Sequence, residues 1–241
     1  MKGYGMISVN NPGWLEKDKP VAGPLDAILR PIAISPCTSD VHMLHGGSGD
    51  KSNIILGHEA VGEVVEVGEL VQKFKPGDVV VVPAGTPDWM SLGVQGEYNS
   101  HDHFLMGSFK FNAQKDGTMA EFFHVNQADA NLVRLPEGMA PEAALMTVDM
   151  MSTGFHAVEL ADTGFGDTGV VLGIGPVGLL AVSGPKLRRP GRLMVVGPRP
   201  HLSLSANDTR PTDGLSYHDG DIVQPRRQTS PGRSFPGLLP R

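Results

Sequence analysis

A chain of 241 residues has room for one large domain or two modest ones. Hydrophobic residues make up 40% of it and the mean hydropathy is −0.10, so a full core can be built, while no run approaches the length needed to span a bilayer. A single cysteine excludes an internal disulfide framework. With no apolar leader-like stretch after Met1-Lys2-Gly3, the expected location is the cytoplasm. The net charge of −6 is uneven. Residues 168 to 241 hold ten basic and four acidic side chains (+6), leaving 10 basic and 22 acidic (−12) for residues 1 to 167. The basic part includes a glycine-rich loop, which points to a small phosphate-bearing ligand rather than nucleic acid or a membrane.

Taken in chain order, the first 135 residues predict short strands separated by turns: residues 27 to 34, 63 to 67, 78 to 82 and 121 to 125 are β-rich runs. This pattern predicts a compact antiparallel barrel. Between the first two runs lies the lone Cys37, in Ser35-Pro36-Cys37-Thr38-Ser39-Asp40-Val41-His42, followed at residues 57 to 71 by Gly57-His58-Glu59-Ala60-Val61-Gly62, Gly68 and Val71. The latter fits G-H-E-x2-G-x5-G-x2-V. His58 is a nitrogen donor of the kind zinc prefers, set beside a carboxylate, and Gly62 and Gly68 allow close backbone approach. Residues 141 to 161 predict a helical stretch, with Pro141 in its first turn and Asp149 within it. Cys37, His58 and Asp149 together offer one thiolate, one imidazole and one carboxylate, with a fourth position open. That is a catalytic rather than a structural zinc set.

A second unit begins at Gly169. An apolar run leads into Gly173-Ile174-Gly175-Pro176-Val177-Gly178, a G-x-G-x-x-G loop between a strand and a helix, where backbone amides cradle a pyrophosphate. The next strand, residues 192 to 197, ends in Gly197-Pro198-Arg199 with no acid between Asp167 and Asp208. An NAD enzyme places an acid there, so NADP is expected, with Arg199 on the 2′-phosphate. His101 and His103 read as a solvated loop; His45, His124 and His156 read as structural; Trp89 and Phe109 read as core packing.

In these segments the chain resembles the zinc-dependent medium-chain alcohol dehydrogenases, in particular the microbial NADP-dependent secondary-alcohol group, from Met1 to about Gly178. The resemblance implies an α/β plus β architecture: a GroES-like β-rich catalytic domain (1–150), then a partial Rossmann domain (151–223) and a disordered tail (224–241). It implies Cys37, His58 and Asp149 as zinc ligands and Glu59 as an exchangeable fourth. Ser39 and His42 become the proton relay, and Gly173, Gly175, Gly178, Gly197, Arg199 and Tyr217 the NADP contacts. Relatives that bind structural zinc use four closely spaced cysteines, so one catalytic Zn2+ and no structural one is expected. The implied substrates are small alcohols and ketones, and the implied assembly is a homo-oligomer, a tetramer in the family.

The resemblance weakens after Gly178. Pro185 falls inside the expected helix, where it costs about 3 kcal/mol, and Pro190 curtails it. From Thr168 only 74 residues remain (241 − 168 + 1), against on the order of 150 for a six-stranded dinucleotide fold. The alternative reading is therefore an inactive, shortened zinc-binding fragment of such an enzyme. A zinc-free quinone reductase is a third reading, opposed by Cys37 and Asp149.

Overall fold

The computed structural model describes residues 1–47, 49, 51–96, 111, 115–188, 191–197 and 213–216. Arg199, Tyr217, His101, His103, Phe109, Pro190 and residues 224–241 lie outside the described residues. The chain divides into two compact units, Met1–Asp149 and Met150–Arg241.

In the first unit β1 (Lys2–Ser8) and β2 (Asn11–Glu16) form an antiparallel hairpin, and β4 (Ile54–Ile55) pairs with the free side of β1. A second sheet has the order β7-β3-β5-β6-β8, antiparallel throughout, from β3 (Ala27–Ser35), β5 (Glu59–Val67), β6 (Val79–Val82), β7 (Phe123–Val125) and β8 (Val133–Arg134). Helix α1 (Thr38–Leu44) and the single turns α2 (Leu92–Gln95) and α3 (Ala128–Asn131) lie in its connections. The strands form where apolar side chains can be buried on one face. Ala27, Leu29, Ala60, Val64, Val80, Val82 and Phe123 converge in one core, where Phe111 and Phe123 meet edge to face at 6.3 Å. Pro31 lacks an amide hydrogen and sits at a register irregularity in β3, where the ladder does not need one. Gly68 lets β5 turn against its neighbour, since a Cβ there would lie 2.0 Å from the Gly23 carbonyl oxygen.

Asp26 ties the start of β3 to β7 and the residues after it. Its Oδ1 accepts from the Gln127 amide at 2.9 Å, and its Oδ2 lies 2.9 Å from His124 Nε2. Burial pushes this carboxyl up, but the Gln127 and His124 hydrogen bonds outweigh burial and hold it below the ordinary aspartate value. A depressed folded-state value gives stability that is present above the unfolded-state value and is lost as pH falls through the folded one. On acidification through the carboxylate range the urea midpoint of Asp26→Asn is therefore expected to fall less than that of the native chain. Parallel curves would contradict this role for Asp26.

Helix α4 (Pro141–Met146) packs Ala144 and Leu145, with Val148 beyond them, against Val61 of β5 and Ala33 of β3. A π-helical turn follows over Thr147–Met151, and then α5 (Ser152–Leu160). The expected continuous helix is thus interrupted at Asp149, a distortion that often marks a functional position.

The second unit carries a parallel sheet of order β11-β10-β9, from β9 (Thr168–Leu172), β10 (Arg192–Gly197) and β11 (Asp213–Ser216). This third–second–first order is that of one half of a doubly wound sheet. Helix α6 (Pro176–Arg188) connects β9 to β10 and buries Ala181 and Val182 against Val171, Leu193 and Val195. It runs on through Pro185, where the sequence predicted a break. Packing holds it: the Gly154 and Gly184 backbones bring α5 and α6 together so closely that a Cβ on Gly154 would lie 2.7 Å from the Ala181 amide nitrogen. No described helix is long and apolar enough to cross a membrane.

Candidate metal centre

Four side chains from three stretches of the chain meet in the first unit. Cys37, His58, Glu59 and Asp149 each offer a ligand atom, and these atoms all lie within 4.8 Å of one another. Each is delivered by a local feature of the fold. Cys37 is the N-cap of α1. His58 and Glu59 enter β5 from a turn at Gly57, whose φ of +95° is one that side chains disfavour. Asp149 sits in the π turn that Leu145 and Val148 dock onto the sheet.

The electrostatics call for a cation. His58 Nε2 lies 3.5 Å from Asp149 Oδ2 and 3.9 Å from Glu59 Oε1, while Nδ1 lies 3.4 Å from Asp40 Oδ1. Burial disfavours a charged imidazole, yet Asp149, Asp40 and Cys37 together push its pKa up to about 12. The His58 hydrogen bond draws the Cys37 thiol below its ordinary value, against the opposing effect of burial. Glu59, 1% exposed, is raised to about 7 by burial and then by the charge of Asp149, and its Oε2 is buried with no hydrogen-bond partner among the described residues. Buried acids beside an imidazole are satisfied by a proton on the ring or by a divalent ion in its place. One thiolate, one imidazole and two carboxylates at this separation fit a zinc ion.

Asp40 is a functional residue that the sequence reasoning missed. It is 4% exposed, accepts from the Cys37 amide at 2.9 Å and the Gly57 amide at 3.0 Å, and faces His58 Nδ1. It thereby ties the Cys37 and His58 segments together and orients the ring so that Nε2 faces the other donors. The available signal was its position three residues after Cys37, where an acid reaches back to the N-cap amide. Ser39 and His42 are exposed on α1, and Ser39 Oγ lies 3.4 Å from His58 Nε2. The histidines read as structural have ordinary partners: His45 with Asn10, His124 with Asp26 and Lys115, His156 with Glu159. Trp89, expected in the core, is 46% exposed, and its indole nitrogen donates to Asn131 Oδ1 at 2.9 Å.

In the second unit Gly173 closes the turn after β9 with φ +92°, its amide donating to the Val196 carbonyl at 2.8 Å. Gly178 must lack a side chain, because a Cβ would lie 2.0 Å from the Gly173 oxygen. Gly175 faces open space, leaving a cradle at the start of the 13-residue α6 that suits a pyrophosphate. Gly197 ends β10 against Ile174.

Comparison with known proteins decides what kind of molecule carries these features. Residues 23–137 match the alcohol dehydrogenase GroES-like domain. An NADP-dependent isopropanol dehydrogenase from Clostridium beijerinckii is 52% identical over 99% of this chain and 68% of the relative. The chain belongs to the zinc-dependent medium-chain alcohol dehydrogenase family. The NADP-dependent isopropanol dehydrogenase of Thermoanaerobacter brockii is 55% identical over 92% of this chain and 63% of the relative. A solved zinc-dependent alcohol dehydrogenase from Streptococcus pneumonia superposes with a TM-score of 0.86 at 27% identity, covering 98% of this chain and 67% of that one. The chain spans about two thirds of the length of the relatives it matches. Its first unit is the GroES-like β-rich domain and its second a partial Rossmann domain.

Proposed function

We propose that this chain is a zinc-dependent, NADP-linked alcohol dehydrogenase that interconverts a small secondary alcohol and its ketone. The observation that carries the reading is the convergence of Cys37, His58, Glu59 and Asp149 within 4.8 Å. The first unit would be the catalytic domain, residues 151–223 the NADP domain, and the assembly a cytoplasmic homo-oligomer as in the family. Cys37, His58 and Asp149 would hold a single zinc ion, which when bound supplies Lewis-acid polarisation of the substrate oxygen. NADP supplies the hydride acceptor.

The remaining steps belong to the protein's own groups. Cys37, His58 and Asp149 would hold the ion and leave room for the substrate oxygen, and Glu59 would be the exchangeable donor. The Ser39 hydroxyl would take the proton of the alcohol as it gives up its own. His42, three residues further along the same helical face, would pass that released proton to solvent. Asp40 keeps His58 in one orientation throughout. Gly173, Gly175 and Gly178 would hold the dinucleotide phosphates, with Gly197 beside them, and Arg199 and Tyr217 would take the 2′-phosphate and adenosine.

A second reading, zinc binding without hydride transfer, is favoured by the metal cluster, whose four donors all lie within the first unit. Elemental analysis and an NADPH fluorescence titration on the same sample separate the two. One zinc per chain, a saturable NADPH response and NADPH-dependent ketone reduction are expected. Stoichiometric zinc with an NADPH signal that never changes would leave only the second reading, and a chain that retains no zinc would contradict both.

A further inference from the structure

The two most deeply buried donors, His58 and Glu59, are presented by the stretch of residues 55–59, which passes from β4 into β5. The backbone groups of that stretch are taken up largely by one neighbour, residues 116–119. Gly117 N donates to the Ile55 carbonyl at 2.8 Å, Met119 N to Leu56 at 3.0 Å and Thr118 N to Gly57 at 3.0 Å. The side chains close the same seam: Asp116 Oδ1 accepts from the Ile55 amide at 2.9 Å, and Thr118 Oγ1 donates to the Glu59 carbonyl at 3.3 Å. Asp116 is itself held by Lys17 Nζ at 2.7 Å, which also donates to the Asn53 carbonyl.

There is no slack in this seam. A Cβ on Gly117 would lie 2.1 Å from the Gly57 oxygen and 2.4 Å from that of Leu56, and a Cβ on Gly57 would lie 2.6 Å from Thr118 Oγ1. Gly57 is therefore clamped from both sides, its amide by Asp40 and its carbonyl by Thr118 N. A metal site requires its donors to be held within about half an ångström by supporting contacts. Asp40 sets the rotation of the His58 ring and holds the Gly57 amide, while residues 116–119 hold Ile55, Leu56 and the Gly57 carbonyl, which set the turn's trajectory.

We propose that residues 116–119 form a strap that sets the position of His58 and Glu59, with Asp116 and Gly117 as positioning residues. Neither touches a reacting atom. The proposal rests on the reading of Cys37, His58, Glu59 and Asp149 as a cation site. Cobalt(II) titration against a competing chelator, with the absorption spectrum of the loaded protein, tests it on the native chain, Asp116→Ala, Asp116→Asn and Gly117→Ala.

Asp116→Ala leaves the Ile55 amide without its acceptor and Lys17 with only the Asn53 carbonyl, and is expected to weaken cobalt binding about 10-fold, the scale of losing an outer-shell contact, with an altered ligand-field spectrum. Asp116→Asn keeps an oxygen acceptor for Ile55 and is expected to stay within about threefold of the native chain, with its spectrum. Gly117→Ala should lose at least as much as Asp116→Ala; if it fails to fold, the two Asp116 variants alone decide. A lowered urea midpoint for Asp116→Ala with unchanged affinity and spectrum would reduce the strap to ordinary structure and overturn the proposal. A native chain that takes up no cobalt would instead overturn the cation reading itself, before any variant is compared, and the strap with it.

Discussion

Replacing His58 by alanine is expected to abolish stoichiometric zinc retention and, on the proposed function, to lower alcohol oxidation by about 10³-fold or more. The size follows from the several kcal/mol of charge stabilisation that a Lewis-acid metal contributes, at about 1.36 kcal/mol per factor of ten. The imidazole is 1% exposed and stands between Asp40, Glu59 and Asp149. Alanine removes a ligand and also the group that keeps these acids apart. The variant would carry three neighbouring carboxylates with neither ring nor cation among them, and like charges in one buried place disfavour ionisation. Cys37→Ser is expected to act in the same direction but less severely, because a hydroxyl is a poorer ligand than a thiolate and yet preserves the shape of the N-cap. Zinc content and turnover, measured on the same preparations, check both. A His58→Ala protein with one tightly held zinc would place the metal elsewhere.

The second large effect is expected at Asp40, which touches no substrate. Asp40→Ala leaves the Cys37 and Gly57 amides without their acceptor, at about 1–3 kcal/mol for each group so stranded. It also frees the His58 ring to turn, and loss of such an orienting carboxylate costs about 10–100-fold in metal affinity. Asp40→Asn retains one oxygen acceptor and should recover part of the stability while remaining weak in metal binding, because an amide does not raise the basicity of His58 as a carboxylate does. Urea unfolding and chelator competition read the two effects separately. An Asp40→Ala variant with native metal affinity would show that the ring is oriented by something else.

The metal cluster was legible in the sequence because its chemistry is specific. The single sulfur, a histidine followed by an acid, and a later aspartate are the donor types zinc takes, and the structure brings Cys37, His58, Glu59 and Asp149 together. The strand runs were legible for a different reason: β3, β5, β6, β7, β9 and β10 are apolar stretches bounded by turn residues, and each forms at or near its expected place. Asp40 was hidden because a buried aspartate early in a helix looks like any first-turn acid until the Cys37 and Gly57 amides and the His58 ring are in view. The π turn at Asp149 was hidden because the apolar spacing of residues 141–161 suits an unbroken helix, and the turn is set by docking against Val61 and Ala33. Pro185 misled in the opposite direction. Local propensity argued for a break, and the packing of Ala181 and Val182 against the parallel sheet overrides it. The strap was invisible for a similar reason, since Gly117 and Asp116 acquire their role only through contact with a stretch some sixty positions earlier.

X-ray absorption spectroscopy of the zinc-loaded chain tests the centre most directly. The arrangement predicts a zinc edge whose fine structure fits one sulfur at about 2.3 Å and two or three nitrogen or oxygen neighbours at about 2.0–2.2 Å, with the sulfur shell lost in Cys37→Ser. A fit with oxygen and nitrogen alone in the native chain would contradict the account, since Cys37 is the only thiolate the protein has to give.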